Sequence, residues 1–273
     1  MTQLAQGAQD DLGTRIIAAD RRRAAIWRLE FIAVWVVILC GLVAFVLYTV
    51  KFDTQFLSKA VPFIIGGAGI TILVSFLSIA LAIFLAALGA LGRLSKNPVA
   101  NGIASFYVSL VRGTPLLLQI LFIYLALPQA GLVLPELACG VIALGFNYGA
   151  YMTEIFRAGI QAVPSGQTEA AESLGMTGRT TFIRIIAPQA FRIVIPAIGN
   201  DFIAMLKDSS LVSVISVHEI LYNAQVAGRP TFQSMQTLII AALVYWAMTI
   251  VFSYFQGRLE RRMSTSDRNR GGA

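Results

Sequence analysis

The chain has 273 residues, 57% of them hydrophobic and 13% charged, and a formal net charge of +7. Soluble globular domains carry about 25% charged residues, so this composition excludes that class and places the chain in a bilayer. Its basic residues are dispersed between long apolar runs and form no single face, which argues against a nucleic-acid partner and for membrane topology.

Residues 1–29 form an N-terminal arm, and an uncharged run covers 31–50. Arg21, Arg22 and Arg23 precede that run in the manner of a signal peptide. The run exceeds the roughly 7–15 residues of a cleavable core and no clear small-x-small site follows it, so a retained first span is expected. Further uncharged stretches lie at 61–92, 113–135, 137–153 and 230–257, and a membrane helix needs about 17–25 residues. Gly66, Gly67 and Gly69 predict an irregular start to the second of these spans.

Between the second and third spans, residues 98–111 read as an amphipathic piece near the membrane surface. Arg112-Gly-Thr-Pro115 should bend the chain, because proline lacks an amide donor and disfavours helix at the residue before it. Arg112 is then either part of a structural kink or a pathway charge.

The segment 188–217 carries Arg192, Asn200, Asp201, Lys207, Asp208 and Ser209 among apolar residues, with Pro188 and Pro196 interrupting it. Unsatisfied polar groups in lipid cost several kcal/mol each, so this stretch crosses only where protein or water surrounds them. It reads as a sixth, broken, pore-facing span. Six spans with both termini inside put 16 basic residues on the cytoplasmic side and three, Lys51, Lys59 and Arg229, outside. That asymmetry follows the positive-inside rule. The expected fold is therefore all-α and polytopic, with about six transmembrane helices, a permease domain over 30–262, a cytoplasmic loop at 158–188 and a C-terminal tail at 263–273.

Cys40 and Cys139 lie inside apolar runs and read as small hydrophobes. His218 lacks partners at metal-ligand spacing, so no metal site is expected. Each of the four lysines lacks the Walker A surroundings that cradle phosphate, so no nucleotide site is expected in this chain. Glu154, Asn200, Asp201, Lys207, Asp208 and Ser209 are the candidates for a translocation path, with satisfied structural pairing as the competing explanation.

The loop after the fourth span reads as two short helices with a hinge. The first follows Pro164, contains Glu169, Ala170, Ala171 and Glu172, and ends where Gly175 takes the left-handed conformation. Thr177 caps the second, whose Phe182, Ile183, Ile185 and Ile186 suit docking on the membrane domain.

The spacing Glu169-Ala170-Ala171, Gly175, Ile185 and Pro188 resembles the EAA motif of ABC importer permeases, with Ala187 where that family usually has Leu. Arg112-Gly-Thr-Pro-Leu-Leu-Leu-Gln119, the stretch from Ala150 through Glu154 to Ile160, and Lys207-Asp-Ser-Ser-Leu211 are similar to its polar amino acid uptake branch. The resemblance runs from Gly69 to Arg262 and leaves the N-terminal arm outside. It implies a type I importer transmembrane fold in the bacterial inner membrane. It also implies two separate ATPase subunits that bind ATP and Mg, a second identical or related permease subunit, and an extracytoplasmic amino-acid-binding protein. The EAA loop, with Glu169, Ala170, Ala171, Gly175 and Pro188, would couple to the ATPase. An ion-gradient-driven carrier or channel is the alternative, and a membrane enzyme lacks the clustered catalytic groups it would need.

Overall fold

A computed structural model describes the backbone of residues 2–268 and the side chains of residue 23 and residues 26–263. The expected tail at 263–273 therefore lies partly outside the described residues. All regular structure among the described residues is helical.

The chain divides into two compact units, the first ending at Thr54 and the second beginning at Gln55. The first is one helix, α1 (Thr2–Thr49). Its segment Ile26–Thr49 is long and apolar enough to cross a membrane, and none of it is buried inside the protein. Trp27, Phe31 and Trp35 follow one another at a spacing of four residues, with ring centroids 5.2 and 6.1 Å apart. Such aromatic side chains suit the boundary between headgroups and hydrocarbon.

The second unit begins with α2 (Thr54–Gly66) and α3 (Ala68–Leu94), which break at Gly67 as the run of glycines predicts. A Cβ on Gly67 would lie 2.6 Å from the Glu219 backbone, so the break also admits a close chain crossing. Next come α4 (Pro98–Arg112) and α5 (Leu116–Gln129), bent by 107° at Gly113–Pro115, where the sequence predicts the kink. Gln119 fastens the bend by donating to the carbonyls of Val111 (2.8 Å) and Thr114 (3.1 Å) and to the Thr114 hydroxyl (2.8 Å). Backbone groups freed by proline are satisfied without water, as lipid requires.

Helix α6 (Glu136–Gln161) is the centre of this unit and pairs most extensively with α3. A Cβ at Gly145 would sit 2.7 Å from Leu81, and one at Gly149 2.7 Å from the Tyr107 hydroxyl, so small residues set the close approach of the helices. Around α6 lie two apolar clusters, one built on Val74, Ile120, Leu144 and Val212, the other on Ile79, Tyr148, Met152 and Met205.

The remaining elements are α7 (Ser165–Ser173), α8 (Gly178–Thr181), a π-helical turn (Phe182–Ile186), α9 (Ala187–Asp208) and a 3₁₀ segment (Ser209–Ile215). They are followed by α10 (Ile220–Gly228) and α11 (Ser234–Arg268). Four helical stretches pass as membrane spans on length and apolarity, and the bent α4–α5 pair makes a fifth if it counts as one. The expected sixth, α6, has 26 residues, about 39 Å at ~1.5 Å per residue, but is not among them. Its polar Asn147, Tyr148 and Thr153 are buried among the surrounding helices, so it has no need of a lipid-like surface.

The fifth span differs from expectation in where it breaks. Pro196 sits inside α9 without ending it, and Gly178–Ile215 forms one candidate span of 38 residues. The departure from α-helix comes instead at Ser209, where the chain tightens into the 3₁₀ segment. The carbonyl of Pro196 accepts from Gln256 on α11 at 2.8 Å, which ties the proline-containing stretch to its neighbour.

Candidate coupling loop and polar path

Pro164 stands in an extended conformation before α7, and its carbonyl accepts from Gln167 N–H at 3.0 Å. Serine, glutamine, threonine and glutamate then give a short, polar helix with Glu169 and Ala170 exposed and Ala171 buried at 3% exposure. The two alanines thus have different positions. Ala170 leaves the outer face with little bulk, whereas Ala171 packs α7 onto its own support.

The helix ends at a left-handed residue, Gly175, with φ +74°. Met176 N–H donates to Ala171 O at 3.0 Å and Gly175 N–H to Glu172 O at 2.9 Å, the paired bonds of a Schellman C-cap. Nothing lies within 4 Å of a Cβ built on Gly175, so the requirement for glycine comes from backbone conformation and not from crowding. Thr177 starts the next helix by accepting from Thr180 N–H at 3.4 Å. Leu174, 81% exposed, projects from the hinge.

The second helix of the loop is not a separate piece. It runs from α8 through the π turn into α9, and Pro188 lies in the first turn of α9 instead of ending the loop. A proline there denies the Arg184 carbonyl its usual partner and pushes against that turn. The chain responds with one wider turn, in which Ala187 N–H reaches back to Phe182 O. The hinge is therefore confined to Leu174–Thr177, and everything after it is joined to the span that carries Asp201 and Asp208.

The candidate path residues separate into three groups. Glu154 accepts from Arg93 at 3.1 Å and from Arg157 at 2.6 Å, an ion-paired cluster joining the ends of α3 and α6. Asn101 adds a bond to the Arg93 carbonyl at 2.7 Å, bringing in α4. Arg112 is exposed, with its guanidinium 5.1 Å from the centroid of the Tyr151 ring. Asn200 and Lys207, seven residues apart on α9, are also exposed.

The third group faces inward. Asp208 accepts from the Tyr148 hydroxyl at 2.7 Å, and Ser209 is buried and donates to the Leu206 carbonyl at 2.9 Å. Asp201, one heptad before Asp208 on the same helix, is partly buried, and its Oδ2 has no hydrogen-bond partner among the described residues. A buried carboxylate oxygen without a donor is costly to maintain. It is the one member of the candidate set whose bonding is incomplete.

Sequence reasoning missed Tyr148, Arg93, Gln119 and Asn147. Asn147 donates to Gln119 Oε1 at 3.1 Å, linking the bend to α6. These pairs span from 28 to 61 residues in sequence, so periodicity carries no sign of them. A polar residue inside an apolar run was the available signal, and for Asn147 and Tyr148 it lay within the predicted fourth span.

Residues 78–265 match the family described as binding-protein-dependent transport system inner membrane component. The chain belongs to that family. The L-cystine transport system permease protein of Bacillus subtilis is 41% identical over 74% of this chain and 87% of its own length. The glutamine transport system permease protein of Escherichia coli K12 is 34% identical over 78% of this chain and 98% of its own. A crystal structure of an amino acid ABC transporter with histidines gives a TM-score of 0.73 at 40% identity, covering 78% of this chain and 99% of that one. A methionine ABC transporter in an inward-facing conformation gives 0.59 at 14% identity, a likeness of fold alone. The chain is a multi-pass inner-membrane component of an ABC importer, a family in which this subunit carries no ATPase site of its own.

Proposed function

We propose that this chain is the permease subunit of an ATP-driven amino acid importer, forming half of the translocation path and receiving force through α7. The observation that carries the reading is the short exposed helix bearing Glu169 and Ala170, hinged at Gly175 and continued without a break into the span of Asp201 and Asp208. A groove on an ATPase subunit would grip α7, and α8–α9 would convey its displacement into the membrane. The amino acid permeases at 34–41% identity support amino acids as the substrate class, and they do not favour an ion-gradient-driven carrier.

The assembly this implies has two ATPase subunits that bind ATP and Mg, a second permease subunit identical or related to this one, and an extracytoplasmic amino-acid-binding protein. Alternating access follows: approach of the ATPases draws the two coupling loops together and reopens the path outward. Asp201 and Asp208 are proposed to line that path, whereas Glu154 holds the α3–α6 junction. Both termini are assigned to the cytoplasm from the distribution of basic residues.

The test is uptake by proteoliposomes containing this chain with its ATPase and binding protein. Transport should require ATP inside and should disappear when the ATPase is left out. Solute accumulation by the permease alone, driven by an ion gradient, would overturn the proposal.

A further inference from the structure

Where α3, α6 and α9 converge, an apolar groove of about 210 Å³ opens beside the coupling loop. Leu91 comes from the last turn of α3, Phe156 and Ile160 from the end of α6, and Phe182, Ala187 and Phe191 from the π turn and start of α9. All ten lining residues are apolar. Its size falls below the roughly 300–1,000 Å³ of ordinary small-molecule sites, and it has none of the convergent polar groups that fix a soluble ligand. The transported solute is therefore a poor occupant.

Its walls explain why it stays open. Gly159 on α6 admits Val194 of α9, since a Cβ there would collide with the valine methyl, and this contact closes one end. Beyond it the helices diverge, and alanines at 87, 90, 187 and 190 leave the gap unfilled. Ala187 occupies the position where the EAA motif usually has Leu, and its short side chain is part of that lining.

The charge around the groove selects the occupant. From residue 173 to residue 200 the chain contains Arg179, Arg184 and Arg192 and no acidic residue. Arg179 and Arg184 are exposed, and Arg184 is two residues from Phe182 in the groove wall. A cationic rim over an apolar slot, where spans leave the hydrocarbon, matches an anionic headgroup with an attached acyl chain. We infer that the groove seats an anionic phospholipid of the cytoplasmic leaflet, with its acyl chain against Phe182, Ala187 and Phe191 and its phosphate near Arg179 and Arg184. This rests on the orientation proposed above, which places the ends of α3 and α6 on the cytoplasmic side. The lipid would lie directly under the rod that links α7 to the span, so leaflet composition would bear on coupling.

The complex of this permease with its ATPase, in nanodiscs, provides the test. Phosphatidylglycerol or phosphatidylcholine with a photoreactive acyl chain is added to discs of plain phosphatidylcholine, and labelled peptides are mapped. Phosphatidylglycerol should label the peptide spanning 182–194 in preference to phosphatidylcholine. Arg184→Gln and Arg179→Gln should each reduce that labelling about fivefold, the expected worth of one basic residue near an anionic surface. Ala187→Leu should lower labelling of this peptide by both probes while leaving α1 labelled as before. Equal labelling by the two lipids, or crosslinks from 182–194 to a second permease chain in place of lipid, would overturn the inference. Retention of the ATPase is scored separately in the same discs, so a failure of the coupling assignment is distinguishable from a failure of the lipid seat.

Discussion

Gly175 is held at φ +74° by two C-cap hydrogen bonds, and a side chain there would meet no neighbour within 4 Å. A substitution consequently acts through the backbone: a left-handed conformation costs a non-glycine residue roughly 1–2 kcal/mol. Gly175→Val should leave membrane insertion intact, because the spans are untouched, yet displace α7 and reduce uptake severely. Expression and protease resistance measured alongside uptake in vesicles would check this, and normal uptake would count against α7 as the coupling helix. Asp201 invites a different substitution. Asp201→Asn keeps the shape and removes the charge of the incompletely bonded carboxylate. If that charge meets substrate, KM should rise while ATPase binding stays unchanged. Kinetics that match the parent protein would remove Asp201 from the path and leave it as a structural residue.

At the scale of elements, the decisive feature is the π turn before Pro188. Pro188→Ala restores the missing N–H, so the turn is free to relax to ordinary α-helix. Losing one residue from a turn rotates everything before it by about 100° relative to α9. The variant should still hydrolyse ATP with its partner but transport fewer molecules per ATP, measured as the ratio of uptake to phosphate release. The sequence made the first half of this loop legible, since proline, the acidic helix and glycine act locally through the backbone. It did not reveal the continuity of α8 with α9. A proline in a sequence announces a lost hydrogen bond, but whether the chain breaks or widens by one residue depends on packing around Phe182 and Ala190. The same limit applies at Pro196, which α9 accommodates within an unbroken helix. The bend at Gly113–Pro115 was legible, whereas the Gln119 fastening that holds it at 107° required two distant segments to meet.

Over the whole molecule, apolarity identified the spans whose sides face lipid and gave the weakest account of the one that faces protein. Helix α6 carries polar residues because its neighbours replace lipid, so hydropathy undervalues the helix at the centre of the bundle. Charge distribution supplies the missing constraint. The family match begins at residue 78, after α1 has ended, and α1 belongs to a separate compact unit. Deleting residues 2–50 leaves eleven basic residues on the proposed inner side against Lys59 and Arg229 outside. That bias is strong enough to orient the remaining helices without the first span. A truncated chain with Ser173→Cys in a background lacking Cys139 should therefore keep its coupling loop inside. The thiol should resist a membrane-impermeant maleimide in intact spheroplasts and react after lysis. Labelling before lysis would show that α1 sets the orientation of the whole chain and that the later charges do not.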